Sequence, residues 1–551
     1  MFSNESRILA AVAAAVLVAS VHPIRAADFA GSVAGVVKSA SGEALPGAYV
    51  KLFNPERRLT FMVISQAQGR YTLNNLPPGD YTVQGIGNGF QSKPAPVALS
   101  AGKPATADVA LTDKQGDAVP NGWVRSPGRV AGNELDAELP PPILPEGEGK
   151  AIVEAKCNQC HFLRRLTQMR WTHDNWEKKI AWMRERIHER GAVDLTDQEV
   201  KTVVDYLAAN FSDTTPKADP NGRLSRTVLQ GAAARYIAVD FGVPNPDAAL
   251  HDIAVDSQGV AWVNQLNVYS LGKFDPKTYE YSQVPPPAGD VKVGVLNHMG
   301  PPTRGADGSI WMTEVGANRR WLSFDPKYNE FTAYPALIKG PLNGNSMRAD
   351  PNGKMVWSTA GTRIVGLNIE TKQFVAYDIP HFLETKRNPG AYGLDVAGDG
   401  KVWFVEREAN KIGRLDPITG KIDEFKTPGV DVPRRMGADW DGNIWVGFHE
   451  TGKLVKFDQK TAKMTTYDPP TPNNGAYHVV ADAKNKVLWL TEQTADKIAR
   501  FDPKTETWTE FSLPIVESDA RRIELDPTNP NRIWWSGDTS SHLGYIEVLD
   551  Q

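Results

Sequence analysis

Only two cysteines occur in the 551 residues, and they stand three apart in Cys157-Asn-Gln-Cys160 with His161 next. Two thiols and an imidazole at C-x-x-C-H spacing form the pattern of c-type haem attachment. Each sulfur makes a thioether to the porphyrin, and the adjoining histidine supplies the proximal nitrogen to iron. A redox disulfide or half of a zinc site are the alternatives, but zinc needs two further ligands and no other cysteine is present. A thioether sulfur is the usual group on the opposite face. Met183 shares a helical stripe with Trp176 and Ile180, which turns it towards an interior where a ring would sit. Met169 follows His161 by eight residues, which leaves little chain to cross the ring. His173 and His188 are rival ligands, and a methionine that only fills the core is the plain alternative. The expected cofactor is one covalent haem c on Cys157 and Cys160, with His161 and Met183 on its iron. The partner this implies is a periplasmic electron donor or acceptor protein.

The elements that must carry these residues are helical. Over residues 147–213 the pattern has a helix period, unlike the segments on either side. Thr196 and Glu199 stand at capping-box spacing, and Val200, Val203, Val204 and Leu207 then recur on one helix face. A second helix is expected from Asp174 or Asn175, with Trp176, Ile180, Met183 and Ile187 on one stripe. Upstream, residues 113–146 are rich in Pro, Gly and charge and are expected to be an extended linker. Residues 30–112 alternate apolar and polar positions between Gly and Pro, as a small antiparallel β-domain does. Arg7, the apolar run Ile8 to Val21 and the small residues Ala26 and Ala27 form an export signal over residues 1–26, with an uncleaved anchor as the alternative. No later segment is apolar over the length needed to span a bilayer, so a soluble periplasmic or otherwise secreted protein is expected.

From about residue 235 the sequence repeats. Trp262, Trp311, Trp357, Trp403, Trp445, Trp489 and Trp534 recur every 42 to 49 residues. Most follow a turn such as Asp256-Ser-Gln-Gly259, and several precede Phe274-Asp-Pro or a close variant. A period of that size with four short strands per unit predicts a β-propeller, and seven tryptophans predict seven blades. The strand at 234–240 lies ahead of the first full repeat and is expected to close the ring against the last blade. The start of each inner strand and the residues just after each Trp are expected to meet at one mouth. That places His478 with Glu492, His251 with Gln265, and Glu314, Glu406, Arg304, Arg348, Tyr392, Arg434, Arg435, Arg521 and Arg522 nearby. Such a ring is a plausible polar funnel for an unknown small molecule. The bland alternative is a channel lined by wetted polar groups.

Three resemblances sharpen these expectations. Gly42-Glu-Ala-Leu-Pro46-Gly47-Ala-Tyr, Gly69-Arg-Tyr71 and Leu76-Pro-Pro-Gly79-Asp-Tyr81 resemble the carboxypeptidase regulatory-like (transthyretin-like) domain, which implies a β-sandwich without catalytic residues, most simply a spacer. Trp176, Met183, Gly191 and the ending Tyr206-Leu-Ala-Ala-Asn-Phe211 resemble small class I single-haem cytochrome c domains, which implies an electron carrier. Gly400-Lys-Val-Trp-Phe-Val-Glu406 followed by Asn410-Lys-Ile-Gly-Arg-Leu-Asp-Pro resembles the streptogramin (virginiamycin B) lyase family. That resemblance implies a catalytic histidine at His478 and a metal-associated glutamate at Glu492, with Mg²⁺ as the metal. The family's other active-site histidine has no counterpart, because Arg434-Arg435-Met436 stands in its place.

The net charge of -4 and the absence of a Lys/Arg block argue against nucleic acid or an anionic membrane surface as partner. The expected fold is multidomain: an N-terminal β-sandwich (30–112), a linker (113–146), a small all-α cytochrome c domain (147–213) and a C-terminal seven-bladed propeller (230–551). The expected function is periplasmic electron transfer by a haem protein or oxidoreductase subunit, with a propeller that binds a substrate or redox partner. A carbon–oxygen lyase acting through His478 and Glu492, or a non-catalytic scaffold, are the alternatives.

Overall fold

The computed structural model describes residues 31–549 apart from 120, 122–143, 158–162, 164, 165, 167, 168, 188–192, 216–218, 289–297, 317, 430 and 431. The signal and most of the linker therefore lie outside the described residues. So do Cys160, His161 and His188.

Strands Gly31–Ser39, Tyr49–Asn54, Leu59–Ile64, Arg70–Leu76 and Gly79–Gly87, with shorter strands after them, build the N-terminal β-sandwich. Its two layers enclose Val33, Val37, Leu52, Tyr71, Leu73 and Tyr81. Seven antiparallel blades follow, one for each repeat tryptophan: blades 1 and 3 to 6 are four-stranded sheets, blade 2 has its inner strand broken into His298–Met299 and Thr303–Arg304, and blade 7 is part of a larger sheet. In sheets 1, 5 and 7 the indole N–H of Trp262, Trp445 and Trp534 donates to the turn aspartate of its own repeat, Asp256, Asp439 and Asp526, at 2.8, 2.8 and 3.0 Å. The other carboxylate oxygen of Asp256 and of Asp439 accepts two turn amides. One aspartate thus fixes both the turn that starts a hairpin and the large side chain that packs against the next blade.

The ring closes as the sequence predicts. Tyr236–Gly242 pairs antiparallel with the final strand, His542–Val548, over seven residues and so supplies the fourth strand of blade 7. Its other edge pairs with Leu59–Ile64 of the sandwich, from Ile237↔Val63 to Phe241↔Leu59. The sandwich sheet and the last blade are therefore one ten-stranded sheet. Their cores merge: Phe61, Tyr81, Phe241, Phe274 and Trp534 belong to one apolar cluster, and the Phe61 ring stands edge-on to Tyr279 at 5.3 Å.

The expected all-α cytochrome c domain is corrected by the structure. The described residues are mostly β-sheet, with four short α-helices among them: α1 Lys150–Lys156, α2 His173–Ile187, α3 Asp197–Asn210 and α4 Pro380–Thr385, the last within the propeller. No separate all-α domain is evident among the described residues. The capping box forms, with the Thr196 hydroxyl accepting from the Glu199 amide and the Glu199 carboxylate from the Thr196 amide. The space between the helices is filled by side chains: Leu166, Met169, Trp171, Trp176, Ile180 and Leu207 are all buried together. Trp171 and Trp176 lie 4.8 Å apart, and the Trp176 indole donates to the Phe211 carbonyl. The Asn175 amide reaches the Asp247 carboxylate just ahead of blade 1, which ties the helices to the β framework.

A shared sheet and a shared core predict shared unfolding. Calorimetry should show sandwich and propeller melting in one transition. Phe61→Ala, which removes a buried ring at the junction, should cost about 3–5 kcal/mol and lower that single transition rather than split off a sandwich step.

Candidate functional site

In five of the seven blades the inner strand carries a β-bulge at the same place. The register shifts by one between Leu250 and Ile253, Ala391 and Leu394, Pro433 and Met436, Ala476 and Val479, and Ala520 and Arg522. A bulge sets two residues of one strand opposite one of its partner and re-aims side chains. The bulged residues are His251-Asp252, Tyr392-Gly393, Arg434-Arg435, Tyr477-His478 and Arg521 with its neighbour Arg522. All except Gly393 converge on the central channel. Gly393 is needed for close approach: a Cβ there would lie 2.6 Å from the Arg434 carbonyl oxygen.

The groups around the channel are buried and highly charged. Asp252 is fully buried and accepts from Arg435 at 2.5 and 3.1 Å, while the His251 ring bonds its other side at 2.5 Å. Burial opposes its ionisation, yet Arg435 and His251 outweigh burial and hold its carboxyl well below the usual range. Arg348 reaches across from blade 3 to His478 at 2.9 Å and to Asp395 at 3.3 Å. Arg522 binds Glu524, and Arg521 binds Asp519 and Asp538 at 3.1 and 2.8 Å. Tyr392 and Tyr477 meet hydroxyl to hydroxyl.

His478 and Glu492, which the lyase resemblance joins, have different immediate surroundings. His478 is fully buried in the channel. Burial, with Arg348 next, drives its pKa far down, so it is neutral. Its Nδ1 faces the Ile523 amide at 3.2 Å and its Nε2 faces Arg348. A neutral imidazole has one proton and one lone pair, so it accepts from one of these donors at a time. Glu492 instead points into its own blade, beside Glu510 and Lys497. Burial, then Glu510, raises its pKa well above the usual range and keeps it protonated. The Lys497 ammonium lies 2.6 Å from Glu510 and already supplies a cation to that pair.

The same arrangement recurs elsewhere. Glu406, three residues after Trp403, sits with Glu424 and Lys411, and its pKa is pushed up to about 9 by burial and then by Glu424. Glu314, three after Trp311, binds Arg320 and Tyr269. Gln265, three after Trp262, binds Ser270 and Gln283. The Trp-plus-three position is a polar ladder across each of these blades, and the fourteen-residue spacing from His478 to Glu492 is partly a property of the repeat. The Glu–Lys–Glu offsets of five and thirteen residues, identical in 406–411–424 and 492–497–510, are the sequence signal for it. Sequence reasoning missed Tyr477, Asp252 and Asp519 as channel groups, because a bulge leaves no composition mark.

Of the haem candidates, Cys157 is the C-cap of α1, and both it and Met183 pack partly buried against the helical core. Cys160 and His161 cannot be placed, being outside the described residues. Met169, the rival, is buried in that core.

Seven sheets around a charged channel, with a β-sandwich built onto the last one, define a β-propeller protein of composite architecture. Residues 292–551 match the virginiamycin B lyase family, and residues 32–112 match the carboxypeptidase regulatory-like domain. Among solved structures the chain is similar to virginiamycin B lyase from Staphylococcus aureus, at 23% identity and TM-score 0.48, over 56% of this chain and 98% of that one. It is likewise similar to a streptogramin B lyase, at 25% identity and TM-score 0.49, over 58% and 100%. A catalytically inactive variant of the Staphylococcus aureus enzyme with quinupristin gives 22% identity and 0.48, over 56% and 98%.

The buried carboxyls carry a stability signature. A carboxyl whose pKa is raised on folding holds its proton in the native state and loses it in the unfolded one, so stability falls as pH rises from the unfolded value towards the folded one. For Glu406 the window runs from 4.5 to about 9. Glu406→Gln, which keeps the shape of a neutral carboxyl, should flatten the fall in Tm across that window and raise Tm at its upper end.

Proposed function

We propose that the propeller channel is a lyase-like site that binds a small acidic molecule and breaks a carbon–oxygen bond in it by elimination. The observation that carries this reading is the charged channel, where Arg348 of blade 3 joins Arg434, Arg435, Arg521 and Arg522 from the bulged strands of blades 5 and 7, within the region that matches the lyase family. Guanidinium forks bind carboxylates in pairs, and in a dry site they stabilise the oxyanion of an enolate strongly. The balance is simple. A base takes the proton next to a carbonyl, the C–H electrons form a C=C bond, and the C–O pair leaves with the oxygen. No oxidant is needed. His478, neutral and facing Arg348, serves to position that arginine.

The test is a set of β-acyloxy carboxylic acids, with quinupristin, the ligand of the inactive relative, as a comparison lacking the carboxylate. Elimination should give the absorbance of a C=C conjugated to a carbonyl, and Arg435→Leu should slow it by about 100-fold, the scale of one lost oxyanion donor. Ester products carrying one added water, or no product from any acid, would remove the reading.

A second reading is favoured by one observation, that Cys157 and Met183 pack against the same small core. On it the chain also carries a covalent haem c on Cys157, Cys160 and His161, is exported by residues 1–26 and exchanges electrons with a periplasmic protein. No helix among the described residues is long and apolar enough to cross a membrane. Protein made in a host with c-type haem maturation should show a reduced-minus-oxidised haem spectrum that is lost in Cys157→Ala and altered in axial ligation in Met183→Ala. A colourless product would end this reading.

A further inference from the structure

We propose that Tyr392 is the proton acceptor of the channel, held as a phenolate by a hydrogen bond from Tyr477 and by the guanidinium groups of Arg407, Arg434, Arg435 and Arg521. This rests on the lyase reading and names its base.

The geometry comes from three blades. The bulges at Tyr392-Gly393 and Tyr477-His478 turn both rings into the channel, and the blade 5 bulge places Arg434 and Arg435 between them. The two rings stand 6.3 Å apart and nearly perpendicular, with their hydroxyls in contact. Arg407 lies 4.8 Å from the Tyr392 ring centre and Arg435 5.5 Å. Arg434, Arg435 and Arg521 lie 6.0, 5.9 and 5.9 Å from the Tyr477 ring. His251 also faces Tyr392, and Arg348 binds Asp395 on the same inner strand as Tyr392.

Two observations point to a ligand. Both tyrosines are almost wholly buried at the edge of an apolar cluster that includes Val405 and Met436, yet cations also lie against their rings. The Nε groups of Arg407, Arg434 and Arg435 are buried without a hydrogen-bond partner, and Arg434 is only 9% exposed. Unpaired N–H groups in a dry site are costly and fit an acidic guest.

The charges also assign the proton. Burial alone would raise Tyr392, but His251, Arg435, Arg521 and Arg407 outweigh it and bring it down to about 7. Tyr477 goes up, through burial and then its ionised neighbour, and so keeps its proton and donates it. In the reaction the Tyr392 oxygen takes the carbon-bound proton and becomes a neutral phenol. The negative charge passes through the enolate to the departing oxygen, and the arginines stay paired with the anions throughout. The phenol then returns its proton to solvent. Rate should rise with pH through about 7 as the phenolate forms.

Ultraviolet titration of tyrosinate in the whole protein tests this, with turnover of the acyloxy acids measured alongside. The wild type should show one tyrosine ionising near neutrality, ahead of the rest. Tyr392→Phe, which keeps the buried ring, should lose that step and slow elimination by 100-fold or more, the usual worth of a general base. Arg407→Gln should move the step to higher pH, and so should citrate as a carboxylate probe for the open Nε groups of Arg407, Arg434 and Arg435. The assignment is overturned if every tyrosine titrates in the ordinary range, if Tyr392→Phe keeps the early step, or if it keeps turnover. If the wild type turns over none of the acids, the lyase reading falls, and the titration alone then decides the phenolate.

Discussion

The structure depends on one ladder of backbone hydrogen bonds, that between Tyr236–Gly242 and His542–Val548. Six blades can form from consecutive hairpins, but the seventh lacks its outer strand until a segment from before the first repeat returns to it. Without that strand the ring is open, the last blade has a bare edge, and the inner strands have no reason to hold a channel of fixed width. A bare edge is also an aggregation hazard. Here the closing strand is itself covered by Leu59–Ile64 of the sandwich, so neither of its edges faces water unpaired. The sandwich therefore covers the seam of the ring, a different role from the spacer that its family resemblance implies.

Closure in turn permits the charge density at the centre. Taking arginines and aspartates out of water is expensive unless each meets an opposite charge in good geometry. Asp252 draws Arg435, Arg522 and His251 from three blades, and Arg521 is gripped by two aspartates of its own blade. These pairs cross the channel and hold blades to one another where apolar packing has run out. They stabilise the native ring only as long as the ring is complete, since a half-formed channel would leave the same groups buried without partners.

The period of the tryptophans, the turn aspartates and the early closing strand were all legible, because each is written at a constant offset and a repeat makes such offsets visible. The sandwich was legible from its Gly and Pro punctuation. The channel was half legible. Arg434, Arg435, Arg521, Arg522, Tyr392 and His478 could be named from their place at strand starts, but their grouping follows from bulges that nothing in the composition marks. Glu492 is ambiguous in the sequence: its spacing from His478 matches a catalytic pair, and the same offset from tryptophan recurs at Glu406 and Glu314, where the side chain serves its own blade. In the helical segment, capping box and stripe gave the helices correctly. The stripe did not show that Trp171 and Trp176 pack together between them, and so it suggested a domain that is not separately evident among the described residues.

The bulges also bear on how such a protein can change. Each sits between an unaltered hairpin and an unaltered core tryptophan, so the two residues it presents are insulated from the packing around them. Five blades thus offer five two-letter positions, spelled here His-Asp, Tyr-Gly, Arg-Arg, Tyr-His and Arg-Arg. Rewriting one of these words alters the chemistry of the channel while the grammar of the ring stays the same. A lineage could move from one ligand to another by dipeptide substitutions, each tried singly, without passing through an unfolded ancestor.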